Sequence, residues 1–468
     1  MAAGWGELLR GSNLPRSGAV AGGMVIHALN TFIVVTMLPT IVRDIGGLRF
    51  FAWNTTLYVV ASLIGGAMCA RLLARLGARP MYRIALGTFA FGAALCAVAP
   101  SMPVLLVGRF LQGMGAGTLS ALSFTMVRML FPPSLWARGL SVISAAWGVA
   151  TLLGPALGGA FAQFVGWRLG FVLLLAVAPG LLVLVEVALP RDLVRPRAPR
   201  TPLAVPNLVI LVASVLCVSV GSMAADARFG VLGFAASLAG FAWFVRRETS
   251  GVARLLPQGA CSPATPLGAC YSTQVLLLTA VSVEIFVPYF LQTLHGLVPL
   301  HAGYLSALMA GGWTAGSMMS SVGSARTTRA ALGGGPLIQV AGLIALALVM
   351  PMLRNDPPTI TLIGIAMASL GIGIGVCWPH LGAGVFTYAA EGEKDLAASS
   401  MTVVIMVANA FASAFGGLVT NMAGLTVPGG VAGAISASSW LFALYAGAPA
   451  LAWFVTRRLR SVAPPVTA

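Results

Sequence analysis

WRLGFVLLLAVAPGLLVLVEVAL, residues Trp167 to Leu189, is a run of apolar side chains with Arg168 at its first turn and Glu186 near its end. A helix needs about 20 apolar residues to cross a bilayer, and this stretch supplies them without interruption. About fourteen blocks of this kind, each long enough or nearly long enough to cross, follow one another along the chain. Only helices and closed barrels satisfy their backbone in lipid. A barrel strand would alternate polar and apolar residues over ~10 positions, which these blocks do not. The 468 residues are 58% hydrophobic and only 8% charged. The sequence therefore predicts an all-α polytopic membrane protein.

Outward from that stretch, the spans on its N-terminal side fall at 19–41, 55–74, 82–100, 103–127 and 139–163. A basic, Pro-rich segment from Pro190 to Pro206 follows it. Two short blocks, 207–223 and 229–245, flank a turn holding Asp226 and Arg228. After a polar loop from Arg246 to Gly268 come 269–292, 302–324, 334–353, 358–384, 397–422 and 432–456. The expected organisation is a six-helix half over 1–190, a linker with a two-helix insert over 191–268, and a second six-helix half over 269–468. The halves are weakly self-similar. Ala61-Ser62-Leu63-Ile64-Gly65-Gly66 leads into a loop with Arg71, Arg75, Arg79 and Arg83; Ala310-Gly311-Gly312-Trp313-Thr314-Ala315-Gly316 leads into one with Arg326 and Arg329. Internal repeats of this kind build transporters whose halves rock around a central site. Gly371, Gly373 and Gly375 have no strand before them, so they read as helix packing, not as a nucleotide loop.

The net charge of +16 would suggest nucleic acid in a soluble protein. Here it reads as topology, and nucleic acid is not an expected partner. Only Arg43, Arg49, Arg168, Arg228 and Arg354 fall in the other set of loops, and Arg109 lies inside a helix; the remaining Lys and Arg occupy the termini and alternate loops. That bias places both termini in the cytoplasm. The first apolar block follows Arg10 and Arg16 without a clear cleavage site, so it is expected to stay as helix 1. Cys69, Cys96, Cys217 and Cys377 read as packing residues; Cys261 and Cys270 are expected in one cytoplasmic loop, unpaired. No metal-ligand spacing is present in the sequence.

Four stretches carry a resemblance. Leu105-Leu106-Val107-Gly108-Arg109-Phe110-Leu111-Gln112-Gly113-Met114-Gly115-Ala116-Gly117 puts an Arg before Gln-Gly-x-Gly. Gly148 to Gly159 includes Gly154-Pro155 and Gly158-Gly159, and Trp167-Arg168-Leu169-Gly170-Phe171 follows it. Leu38-Pro39-Thr40-Ile41 precedes Asp44-Ile45-Gly46, and Leu72 to Arg79 forms the loop between helices 2 and 3. Together they resemble the major facilitator superfamily, and within it the fourteen-helix drug:proton antiporters of the EmrB/QacA type. The resemblance implies the major facilitator fold: two six-helix halves plus a two-helix insert. It implies secondary export of a small lipophilic compound from a bacterial inner membrane, without a cofactor and driven by protons. Substrate would bind between the halves, and a periplasmic adaptor is left open. Gly148, Gly154, Pro155, Gly158 and Gly159, with Arg75, Gly77 and Arg79, match the family's conformational motifs. The chain departs from the family at Asn30 and Ala74, where an Asp is usual.

Charges inside a bilayer cost about 2.5–3.5 kcal/mol and usually mark function. Arg109 lies inside helix 4, and the resemblance implies that it tunes a carboxylate and helps relay a proton; an Arg tied to backbone carbonyls is the structural alternative. Glu284 is the only acid well inside a span, at a depth similar to Arg109. It can bind and release a proton as access alternates, which makes it the expected proton carrier, with His27 as its rival. His27, Asn30 and Thr31 share one helix face; the alternative for His27 is an interhelical hydrogen bond. Glu186, near the cytoplasmic end, is expected to snorkel or pair with Arg191. Asn30, Thr31, Tyr289, Gln292, Trp147 and Trp313 are candidate substrate contacts, although aromatic residues also serve as packing and interface belts. No HExxH, nucleophile elbow or Walker motif points to an enzyme. Two other readings stay open: an exporter of a lipid, siderophore or metabolite without strict proton coupling, and a transporter-like sensor.

Overall fold

The computed structural model describes residues 10–132, 135–190, 204–224, 227–251, 254–320 and 325–461. These residues are helical, with short connections and no strand among them. They form two compact units, Met1–Gly47 with Leu57–Arg200, and Leu48–Thr56 with Thr201–Ala468.

The first unit is built from α1 (Asn13–Ile45), α2 (Phe51–Leu76, from Leu57 onward), α3 (Ala78–Ala97), α4 (Met102–Leu130), α5 (Trp136–Ala160) and α6 (Trp167–Ala188). Helix α1 packs against α4, α5 and α6, and α3 packs against α4 and α6. Gly77 ends α2: its φ of +81° suits a residue without Cβ, and its N–H bonds the Leu73 carbonyl at 2.9 Å. A π-helical turn, Phe161–Val165, closes α5, and Gly166 (φ +108°) returns its N–H to the Phe161 oxygen at 2.7 Å. Phe91, Leu152, Phe164 and Val187 point outward. Exposed apolar side chains in such number suit a lipid surface, not water.

The second unit begins with a hairpin of α7 (Val205–Gly221) and α8 (Ala227–Ser250). The two run close together, since a Cβ at Gly233 would stand 2.5 Å from the Cys217 oxygen. The hairpin packs on α14 (Lys394–Met422). Phe234 meets Phe415 with ring centres 5.3 Å apart, and Phe241 meets Phe411 at 5.2 Å. At one end Asn421 and Trp53 donate to the carbonyls of Ser222 and Ser219, each at 3.0 Å. At the other, buried Glu248 accepts from Asn207 and from the main-chain N–H groups of Leu255 and Leu256, the last at 2.6 Å.

The rest of this unit is α9 (Pro266–Val281), a 3-10 turn (Ser282–Ile285), α10 (Val287–Leu294), α11 (Pro299–Ser320), α12 (Ala325–Val349), α13 (Pro357–Tyr388), α14, α15 (Gly430–Tyr445) and α16 (Gly447–Ser461). Helix α9 packs on α13, α14 and α16, and α13 on α11 and α12. Thr265 caps α9, its hydroxyl accepting from Gly268 N at 3.0 Å, so Cys270 lies inside the helix and not in the loop the sequence suggested.

Two spans read from the sequence as continuous are broken, each by a proline. Proline lacks an N–H, and its ring clashes with the carbonyl four residues back. For Pro288 that carbonyl belongs to Glu284, in the 3-10 turn; for Pro449 it belongs to Tyr445, the last residue of α15. Eleven segments of the described residues are long and apolar enough to cross a membrane. Helix α7 is apolar but shorter. Helices α4 and α11, of 29 and 22 residues, fall outside that set, and α4 carries Arg109 and Gln112 within its apolar run. The chain is thus a multi-pass membrane protein.

Candidate functional site

Three helices of the first unit converge on Arg109. It is 2% exposed, on the face of α4 that also carries Gln112. Its guanidinium donates to Gln112 Oε1 at 2.9 Å and to Asn30 Oδ1 of α1 at 3.1 Å. The same guanidinium carbon stands 4.3 Å from the centre of the Tyr58 ring, on α2. A cation over an aromatic face is favourable, more so away from water. The i, i+3 spacing of Arg109 and Gln112 makes them neighbours on one helix face.

Tyr58 continues the cluster. Its hydroxyl lies 2.9 Å from His27 Nδ1 and 3.2 Å from the His27 carbonyl oxygen. Trp147 of α5 sets its edge against the His27 ring at 6.0 Å between centres, and against Phe32 at the same spacing. The Thr31 hydroxyl donates back to the His27 carbonyl at 3.0 Å, and its side chain also lies close to the Tyr58 hydroxyl. The structure therefore brings together His27, Asn30, Thr31, Arg109 and Trp147 from the expected residues. It adds Tyr58 and Gln112. Gln112 was visible beside Arg109 in the helix-4 stretch; Tyr58 was one aromatic in an apolar run, with no signal in its spacing.

The conformational residues lie where close approach is needed. On α5, a Cβ at Gly158 would stand 2.6 Å from the Ile33 oxygen of α1, and one at Gly154 would collide with Phe32. Gly159 and Pro155 are buried, whereas Gly148 faces open space. Arg75 is exposed. Arg79 donates to the Leu189 carbonyl at 2.9 Å and pairs with Glu186 at 3.2 Å, and Arg83 pairs with Glu186 at 2.6 Å. Glu186 thus bridges to α3; Arg191, its expected partner, lies outside the described residues. At the other end of α6, Arg168 and Trp167 both donate to Asp44 Oδ2, at 2.6 and 2.9 Å.

The second unit holds the remaining candidates. Glu284 sits in the 3-10 turn, half-buried, and has no ion pair or hydrogen bond among the described residues. Tyr289 packs on Phe51 at 5.5 Å and on Phe290 at 5.9 Å. Gln292 is 5% exposed, and both of its amide atoms lack a partner among the described residues. Trp313 packs on Trp378 at 5.2 Å.

The family model described as Major Facilitator Superfamily matches residues 20–417. The "Probable multidrug-efflux transporter Rv1634" of Mycobacterium tuberculosis (strain ATCC 25618 / H37Rv) is 37% identical over 431 residues, 90% of either chain. The "Tetracenomycin C resistance and export protein" of Streptomyces glaucescens is 29% identical over 346 residues, 70% of this chain and 61% of its own. Among solved structures, the human organic anion transporter MFSD10 is similar with a TM-score of 0.58 and 17% identity, covering 94% of this chain and 99% of its own.

Proposed function

The chain belongs to the Major Facilitator Superfamily, and from that membership we infer that it exports small lipophilic, drug-like compounds by alternating access. The observation that carries this reading is 37% identity over 90% of the chain to a protein named as a multidrug-efflux transporter. We place it with the fourteen-helix drug:proton antiporters. The α7–α8 hairpin then supplies two further spans, with both termini in the cytoplasm of an inner membrane.

Proton coupling through Glu284 is part of the proposal. Its support is the 3-10 turn that sets a partner-free carboxyl within the path from α9 to α10. Arg109 then holds the first unit's polar cluster together, and Gln292, Tyr289, Trp147 and Trp313, with Asn30 and Thr31, are the substrate contacts to test. Asn30 supports a second reading, export of a lipid, siderophore or metabolite without strict proton coupling, since its amide bonds Arg109 where the family carries a carboxylate.

The test is an export screen in an efflux-deficient host, followed by inverted vesicles with an imposed proton gradient. Wild type is expected to accumulate a probe such as rhodamine 6G against its concentration difference. Glu284→Gln, inserted at wild-type levels, is expected to lose uphill accumulation and keep downhill exchange. Uphill pumping by Glu284→Gln, together with its loss in His27→Gln, would move the proton site to α1. Absence of any exported compound in the screen would remove the export reading itself.

A further inference from the structure

We propose that Tyr58 is a positioning residue of the export machinery: its hydroxyl partners His27 Nδ1 in either protonation state of that nitrogen, and its ring face holds Arg109 against Asn30 and Gln112. The proposal rests on reading this cluster as part of the exporter.

The backbone geometry makes Tyr58 a fixed part. A Cβ at Gly113 would collide with the Tyr58 carbonyl oxygen, and one at Gly117 would collide with that of Ser62. The glycines that follow Arg109 therefore let α2 and α4 touch main chain to main chain. Ser62 pins this contact, its hydroxyl 2.8 Å from the Tyr58 oxygen and 3.1 Å from the Gly113 oxygen. Tyr58 itself is 1% exposed. With the backbone fixed at this point, the ring has Arg109 over its face and His27 at its tip.

The chemistry at the tip has two solutions. A phenol hydroxyl has one hydrogen and two lone pairs. The His27 carbonyl can only accept. If the hydroxyl donates to that carbonyl, it can accept from a protonated Nδ1, and the second ring nitrogen is free to hold a lone pair or a proton. If it donates to Nδ1, the proton of a neutral ring sits on Nε2. One rotation of one hydroxyl thus accommodates either tautomer, and the first arrangement also fits the doubly protonated ring. Phenylalanine would remove that accommodation while keeping the face under Arg109.

Other groups leave this assignment intact. On the elements that meet here, the nearby titratable or charged groups are His27 on α1, Tyr58 on α2, Arg109 on α4 and Cys96 on α3, whose sulfur lies 3.7 Å from Gln112 Oε1. Arg138 is near the start of α5. Arg168 and Glu186, at the two ends of α6, are engaged with Asp44 and with Arg79 and Arg83.

The test reads the imidazole directly and needs no substrate. The chain has four histidines, so nitrogen-15 spectra of the purified full-length protein in nanodiscs are assignable by the loss of one set of signals in His27→Gln. Tyr58→Phe is expected to shift the His27 ring-nitrogen resonances and the pH at which they titrate, leaving the other three histidines unmoved. Unchanged His27 signals would overturn the proposal. In rhodamine 6G exchange, Tyr58→Phe should displace the pH profile, and pairing it with His27→Gln should add nothing to His27→Gln alone. Tyr58→Leu should lose roughly tenfold more, as an Arg109 variant does, because the guanidinium's platform goes too. Equal rates for the Phe and Leu variants would refute the platform role. A wild type that exports nothing while the His27 shift persists would instead count against export, not against Tyr58's hold on the imidazole.

Discussion

Arg109 bonds two side-chain amides and lies over a phenol ring, an arrangement that uses the guanidinium's shape as well as its charge. A lysine has three donors on one nitrogen and no planar face to stack. Arg109→Lys is therefore expected to insert and fold, with export slowed by about tenfold or more, the scale of one lost charge-assisted contact. Fluorescence-detected size exclusion checks the fold and vesicle efflux checks the rate; wild-type efflux would take Arg109 out of the mechanism. This part of the site was legible as residue types. An Arg in an apolar helix, a His, an Asn and a Thr at helical spacing all stand out against lipid. Their partners did not, because a hydrogen bond between helices depends on rotation and depth, which the period of a single helix does not encode. Thr31 shows the limit: its hydroxyl both returns to its own helix and approaches Tyr58 of α2, a division that helical spacing does not foretell.

At the scale of elements, proline and glycine decide the geometry. Pro288 denies the Glu284 carbonyl its helical partner, and the chain tightens there into a 3-10 turn. In a straight helix such a proline costs about 3 kcal/mol. Pro288→Ala is expected to return part of that and raise Tm, while export falls because the helix now runs straight past Glu284. A rise in Tm with undiminished export would mean that the break has no part in transport. Gly117 works in the other direction. Gly117→Val would drive a branched side chain into the Ser62 backbone and should cost about 1–3 kcal/mol, read as a lower Tm and less inserted protein. An unaltered Tm would mean that α2 and α4 separate freely. Pro288 and Gly117 are plain in the sequence. What each one meets is not, so the sequence read Pro288 as an interior residue of one continuous span.

Over the whole molecule, the membrane class was the most legible property, because apolar length is a one-dimensional quantity. The number of spans was less so. Arg109 and Gln112 inside α4 and the shortness of α7 lower the very signal that counts spans. Topology is open to measurement. Reporter fusions after Ala468 are expected to report cytoplasm, and fusions within the 224–228 turn the opposite side; a C-terminus outside would reverse the proposed orientation. The foot of the hairpin bears on how such a topology is made. Helix α7 emerges from the ribosome before any part of α14 exists to receive it, and alone it is short for a bilayer. Paired with α8 through its close glycine contact, it can enter as one hairpin. At its foot Glu248 joins Asn207 of α7 to the amides of Leu255 and Leu256, which follow α8 in the chain. The carboxylate ties the start of α7, through Asn207, to the segment that leads into α9, through Leu255 and Leu256. Translation-arrest intermediates of Glu248→Leu should accordingly show the following helix entering late or in mixed orientation, long before the α14 docking surface has been made.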